Sequence, residues 1–296
     1  MLNSGKIRIQ LLLDMKFVFE FSDRTDMLPL LDGYIATELA KSFLAALEIG
    51  VYKGGWLLTL ANNKSSLLTI GIDPYPNLEK IRESLIDYRD KLGLKDRLYL
   101  YKSFNELLES QHNSVSFDMI HIDGEHSQSQ VSKDLINSLP KLKEHGILII
   151  DDIFYHSYPG VTAAAFSFIE HNNFTPFLFT EKKIYICNPN HYEEYYKKTI
   201  SILSSLKINY EESENLNSQI CYPQSNAIFG SNLIITPEKM KQGDFLSMLK
   251  EMNLKLPLRI RIKSGLKNLL PPKLFELLQF SKAKLKQHKS FLGIRS

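Results

Sequence analysis

The sequence predicts an α/β fold built on a doubly wound sheet, and three observations carry that prediction. From about residue 31 to 190, short apolar runs alternate with amphipathic stretches. Most of the runs end in glycine or an acid, as strands do where they open into a ligand-facing turn. The last two runs lie too close together for a helical crossover, so they predict an antiparallel hairpin. The predicted strands are residues 43–50 (FLAALEIG), 67–73 (LLTIGID), 97–101 (RLYLY), 117–123 (FDMIHID) and 146–151 (GILIID), followed by the hairpin 174–180 (FTPFLFT) and 182–187 (KKIYIC). That makes seven strands. Between them, residues 76–92 place Leu78, Ile81, Leu85 and Tyr88 at helical spacing, and residues 127–142 do so with Val131, Leu135, Ile136, Leu139 and Leu142. Pro159 sits where a first-turn proline opens the helix VTAAAFSFIEHN.

Composition sets the outer limits. Two cysteines in 296 residues supply no disulfide framework, so an ordinary apolar core must hold the chain. The formal charge of +3 conceals an asymmetry: residues 250–296 carry 12 Lys and Arg against 2 Asp and Glu, which leaves the rest of the chain acidic. An acidic body argues against nucleic acid as a partner, and a basic tail raises the question of a surface partner. The apolar start is interrupted by Asp14, Lys16 and Glu20, and no uncharged run is long enough to span a bilayer. The expectation is a cytoplasmic protein in three parts: an N-terminal segment 1–30, an α/β domain 31–190 and a C-terminal extension 191–296.

Chemistry concentrates at the strand ends. Glu48, Gly50 and Gly54 form an E-x-G-x-x-x-G turn, which reads either as a ligand-approach loop or as an ordinary strand-to-helix turn. Asp73 ends the second strand, where a carboxylate can accept both hydroxyls of a ribose or simply serve a turn. Asp123 ends the fourth strand, and Asp151 and Asp152 end the fifth. One crossover brings these acids to a common edge, where they repel unless protonated or neutralised by a cation; the alternative is a helix cap with solvated neighbours. Oxygen ligands of this kind suit Mg²⁺, Mn²⁺ or Ca²⁺ far better than zinc. His121 reads as a sheet-packing residue, His156 as part of a solvated loop, and the tyrosines of HYEEYY as an amphipathic helix face.

Taken in order, LEIGVYKGGW, IGIDPYP, FDMIHIDGEHSQSQVSKDL and GILIIDDIFYHSYPGV resemble class I S-adenosylmethionine-dependent methyltransferases. They are most similar to the metal-bearing subgroup related to macrocin and other sugar O-methyltransferases. The resemblance implies a Rossmann-like seven-stranded sheet with a reversed last strand. It implies that Glu48, Gly50 and Gly54 lie along the methionine part of S-adenosylmethionine, that Asp73 binds its ribose, and that Ser103 and Phe104 contact adenine. It further implies that Asp123, Asp151 and Asp152 hold a divalent cation, with His126 or Glu125 as the base.

The activity expected on these grounds is metal-assisted O-methylation of a sugar, a glycan or a glycosylated small molecule. A hydroxylase-like enzyme, an N-methyltransferase and a non-catalytic cofactor-binding module are the alternatives. The tail adds a membrane expectation: Leu274, Leu277, Leu278, Phe280 and Leu285 share one side of a helix, while Lys282, Lys284 and Lys286 supply basic positions.

Overall fold

The computed structural model describes residues 30–63, 65–76, 78–180, 182–205, 211–212 and 233–235. By compactness the chain divides into Met1–Lys239 and Met240–Ser296, and every described residue belongs to the first unit. The N-terminal segment before residue 30 and the basic tail therefore lie outside the described residues.

The elements run α1 (Leu30–Ala40), β1 (Ala45–Ile49), α2 (Gly55–Asn63), β2 (Leu68–Ile72), α3 (Glu79–Lys91), β3 (Leu98–Tyr101), α4 (Phe104–Glu109) and β4 (Phe117–Ile122). Then follow α5 (Gln128–Ser138), β5 (Leu142–Ile150), α6 (Pro159–His171), β6 (Thr175–Phe179), β7 (Ile184–Cys187), α7 (Tyr192–Ser205), β8 (Glu211–Glu212) and β9 (Ile234–Ile235). The seven main strands are ordered β3-β2-β1-β4-β5-β7-β6, and the two-residue β9 and β8 continue the sheet beyond β6. Strands β1 to β5 are mutually parallel, and β7 runs antiparallel to both β5 and β6. The α/β fold and its reversed hairpin strand are as the sequence predicts.

Local signals account for most boundaries. Ser127 caps α5 by accepting the Gln130 N–H, and Ser103 caps α4 by accepting that of Glu106. Pro159 occupies the first turn of α6. Helix α3 starts three residues later than the periodicity suggests because Pro74, Tyr75 and Pro76 hold the chain out of helix, Tyr75 at φ 48°. Strand β5 starts earlier than predicted, at Leu142, because pairing with Phe117 begins before a register shift and before its apolar run.

Alternation along the strands gives the sheet two differently used faces. Leu47, Ile49, Ile70, Ile120, Ile122, Leu148 and Ile150 pack into the apolar core beneath Val131 and Leu135 of α5 and Val161, Ala165 and Phe168 of α6. On the opposite face, Glu48 stands beside His121, His121 beside Ile149, and Ile149 beside Tyr185. Helix α1 packs against α2 and α7, and Tyr185 donates to Asp32 of α1 across 3.2 Å. The buried face of α7 includes Tyr195, stacked on Phe177 at 5.4 Å with its hydroxyl donating to the His145 carbonyl, which fits the reading of HYEEYY as a packing face.

Candidate active site

The carboxyl ends of β1 to β5 open into a cavity of about 840 Å³. All the residues expected at the site line it except Gly54, which packs against the Leu85 side chain instead. Gly50 has φ +83°, and a Cβ there would lie 2.0 Å from the Asp123 carbonyl oxygen. The demand for glycine at this position comes from the adjoining β4 turn rather than from close approach of a ligand.

Asp73 holds the same loop from the other side. Its Oδ2 accepts the N–H groups of Val51 at 2.9 Å and Tyr52 at 2.8 Å, and its Oδ1 accepts that of Tyr75 at 2.7 Å. A carboxylate oxygen offers about two lone pairs, so Oδ1, with one amide donor, is the less committed of the two. The side chain therefore serves the turn, which is the second role the sequence allows it, and Oδ1 keeps room for a further donor. Ser103 lines the cavity while spending its hydroxyl on the α4 cap; Phe104 lines it beside the core.

At the cavity floor, Glu48 is 3% exposed and places Oε1 3.2 Å from His121 Nδ1, while Oε2 has no hydrogen-bond partner. Burial, then the carboxylates of Asp123 and Asp73, push its carboxyl well up. His121 stacks on Trp56 at 4.6 Å; burial and the Lys183 ammonium depress its basicity, so it is neutral. Neutral imidazole donates from one nitrogen only, and here Nδ1–H faces Glu48 while Nε2 accepts from Lys183 Nζ at 3.1 Å. His121 is thus both sheet-packed and part of the site, more than its sequence reading allowed. His156 is exposed, as expected.

The three acids of the β4 and β5 ends converge, but they are not alone. Asp151 is ion-paired with Lys183, which is 1% exposed, and its Oδ1 accepts the Asp152 N–H at 2.7 Å. Burial would raise the Asp151 carboxyl, but the ammonium outweighs it and holds the group below the ordinary range. Asp152, in a left-handed conformation at φ 56°, is 3.0 Å from His126 Nε2 and 3.3 Å from Lys182 Nζ, which hold it low against partial burial. Asp123 goes the other way: burial and then the neighbouring Asp151 push its carboxyl well up. The lysines come from the β6–β7 hairpin, whose turn is tied to the β5 loop by the Ile153 N–H donating to the Lys182 carbonyl at 2.7 Å.

Spacing by itself would admit an ion. Ligand atoms of His121, Asp123 and Asp151, and of Asp123, His126 and Asp152, lie within 4.8 Å of one another. The negative charge such an ion would neutralise, however, already faces ammonium groups, which repel a second cation: Lys183 takes Asp151 and His121, and Lys182 takes Asp152. The residues present do not fit a resident divalent ion.

A rim of rings completes the site. His126 stacks on Tyr158 at 3.9 Å and 8°, Tyr155 lies 5.2 Å from Tyr158, and the Lys182 ammonium sits 4.6 Å above the Tyr155 ring. Glu125 is exposed at the cavity mouth. Lys182 and Lys183 are the cavity-lining side chains that sequence reasoning passed over, having counted them into an apolar strand.

Residues 47–153 match the family Methyltransf_24, described as a methyltransferase domain. No curated protein matches the chain in sequence. Similar solved structures include a candidate caffeoyl-CoA O-methyltransferase from Staphylococcus aureus, at 18% identity and TM-score 0.49 over 59% of this chain and 92% of that one. Also similar are a Podospora anserina methyltransferase bound to SAH, at 18% and 0.44 over 60% and 87%, and a TDP-rhamnose 3'-O-methyltransferase of calicheamicin biosynthesis, at 15% and 0.42 over 52% and 75%. Residues 47–153 are thus similar to a methyltransferase domain, and they span β1 to β5 with the ends that open into the cavity.

Proposed function

We propose that the cavity binds S-adenosylmethionine and that the enzyme methylates a hydroxyl of a sugar, a glycan or a glycosylated small molecule, with His126 as the base. The observation that carries this reading is the 3.0 Å contact between His126 Nε2 and Asp152 Oδ2 at the cavity wall. An Asp that accepts Nε2–H leaves Nδ1 as the proton acceptor, and stacking on Tyr158 fixes the ring plane. The acceptor oxygen attacks the methyl carbon, the C–O bond forms as the S–CH₃ bond breaks, and the proton passes to His126. The products are a methyl ether and S-adenosylhomocysteine. Orientation supplies much of the remaining rate enhancement.

The cofactor fits what the cavity offers. The unpartnered Oε2 of buried Glu48 suits the ammonium of the cofactor's amino-acid end, and the open lone pair of Asp73 Oδ1 suits a ribose hydroxyl. Ser103 and Phe104 line the same cavity and would receive adenine. The sugar reading draws support from Tyr155 and Tyr158, whose faces can pack on the apolar side of a pyranose ring.

The basic extension, on this reading, brings the enzyme to an anionic surface that carries its acceptor. Among the described residues, no helix is long and apolar enough to cross a membrane. Calorimetric titration with S-adenosylhomocysteine, followed by methyl transfer to a panel of sugars and nucleotide sugars, tests the proposal. Absence of S-adenosylhomocysteine binding would overturn it.

A further inference from the structure

We propose that Lys183 is the resident cation of this site, its ammonium standing where a carboxylate-rich methyl-transfer site would otherwise take a divalent metal ion, so that the protein excludes the ion and works without it. The inference rests on the function proposed above for its consequence in catalysis, but its geometry stands apart from any particular reaction.

The placement follows from the hairpin. Lys183 is two residues before Tyr185, so alternation sends its side chain to the face that carries Glu48 and His121. Asp123 and Asp151 extend that face, each two residues beyond His121 and Ile149. A lysine that starts at the sheet's reversed strand therefore meets acids that end its parallel ones. The ammonium donates to Asp151 Oδ2 and to His121 Nε2, the latter at 3.1 Å.

A buried lysine costs several kcal/mol in lost hydration unless paired, and a sheet needs no lysine at a position 1% exposed. Two of the three residues in the His121, Asp123 and Asp151 group are ones that Lys183 holds. An ion cannot bind there without displacing the ammonium or sitting against it. The second group, of Asp123, His126 and Asp152, is guarded in the same way by Lys182, 3.3 Å from Asp152 Oδ1. The hairpin thus delivers one lysine to each of these two groups.

The test is a titration of the chelator-stripped full chain with Mn²⁺, followed by electron paramagnetic resonance, with Lys183→Met and Lys183→Ala alongside. Wild type should leave the free-ion signal unchanged, and S-adenosylhomocysteine should bind it equally in EDTA and in Mg²⁺. The two variants, freed of the ammonium, should bind Mn²⁺ at least tenfold more tightly than wild type. Stoichiometric Mn²⁺ binding by wild type that Asp151→Asn abolishes would overturn the proposal. So would folded variants that bind the ion no better than wild type. Should neither variant fold, the wild-type titration decides alone. Failure of this proposal is distinguishable from failure of the proposed function: ion binding together with S-adenosylhomocysteine binding sinks only the resident-cation idea, whereas ion exclusion without S-adenosylhomocysteine binding sinks only the function.

Discussion

His126 and Asp152 approach to 3.0 Å at the cavity wall, although one follows β4 and the other follows β5. The pairing is the imidazole–carboxylate arrangement that fixes a tautomer and stabilises the imidazolium formed when the ring takes a proton. Removing the acceptor nitrogen should therefore cost rate and leave cofactor binding alone. His126→Gln should lower kcat by ~10²- to 10⁴-fold with little change in the dissociation constant of S-adenosylhomocysteine, and Asp152→Asn should lower kcat less. Single-turnover methyl transfer beside calorimetry separates the two; equal turnover in His126→Gln would take the base role from it.

Asp73 presents a second linkage, between the cofactor loop and β2. Each charge-assisted hydrogen bond to this carboxylate is worth ~1.5–3 kcal/mol. Asp73→Ala should weaken S-adenosylhomocysteine binding by about 10- to 100-fold, and it should also release the Val51 and Tyr52 amides. The second effect is visible in limited proteolysis, because trypsin should then cut faster after Lys53. Unaltered affinity and unaltered cleavage together would show that the aspartate serves neither role.

How far the sequence could lead depends on what kind of signal each residue leaves. The parallel strands are apolar runs with a polar or glycine end, and their order along the chain carries both the sheet and the meeting of Asp123 with Asp151 and Asp152. Lys183 leaves no such trace. It opens an apolar run, KKIYIC, and its partners Asp151 and His121 stand 32 and 62 residues away. The usable clue was a charge adjoining a strand buried on both faces, since a lysine there needs a carboxylate. Gly54 shows the reverse failure: a motif position that reads as cofactor-facing is spent on packing against Leu85.

Gly50 and Gly93 give a matched pair of substitutions. Both are left-handed, at φ +83° and +68°, but a Cβ at Gly50 would strike the backbone of Asp123 and Gly124 while one at Gly93 meets nothing within 4 Å. Gly93→Ala should cost only the conformational penalty, ~1–2 kcal/mol. Gly50→Ala should cost several times that or prevent folding, because the obstacle is backbone and cannot turn aside. Urea denaturation of both variants checks this, and similar losses in the two would overturn the close-contact explanation.

The basic extension lies outside the described residues, and its prediction rests on sequence alone. Each lysine or arginine near an anionic surface contributes ~1 kcal/mol, so the excess carried by residues 250–296 should hold the chain to anionic vesicles at low salt. Co-sedimentation with anionic and neutral vesicles should show binding only to the former, weakened by salt and absent from a chain ending at Asn253. Equal pelleting of both chains would end the idea.

Asp134 offers a pH-dependent test within the same cavity wall. Burial raises its carboxyl from 3.8 to about 6 against the opposing hydrogen bond from Gln130 Nε2 at 2.9 Å, and the exposed Glu125 adds to the rise. The folded state thus favours the protonated acid. Below the unfolded value of 3.8 both states carry the proton and nothing is lost. As pH rises from there through about 6, ionisation favours the unfolded chain, and the deficit is complete above that range. A shift of this size corresponds to at most ~3 kcal/mol. Asp134→Asn keeps an oxygen for Gln130 but cannot ionise. The variant should match wild type in urea stability near pH 4 and exceed it by ~1–3 kcal/mol at pH 8, with the gap opening between those values. A gap that is constant across pH would assign the effect to packing, and a variant less stable at pH 8 would show that the ionised carboxylate is favoured by the fold.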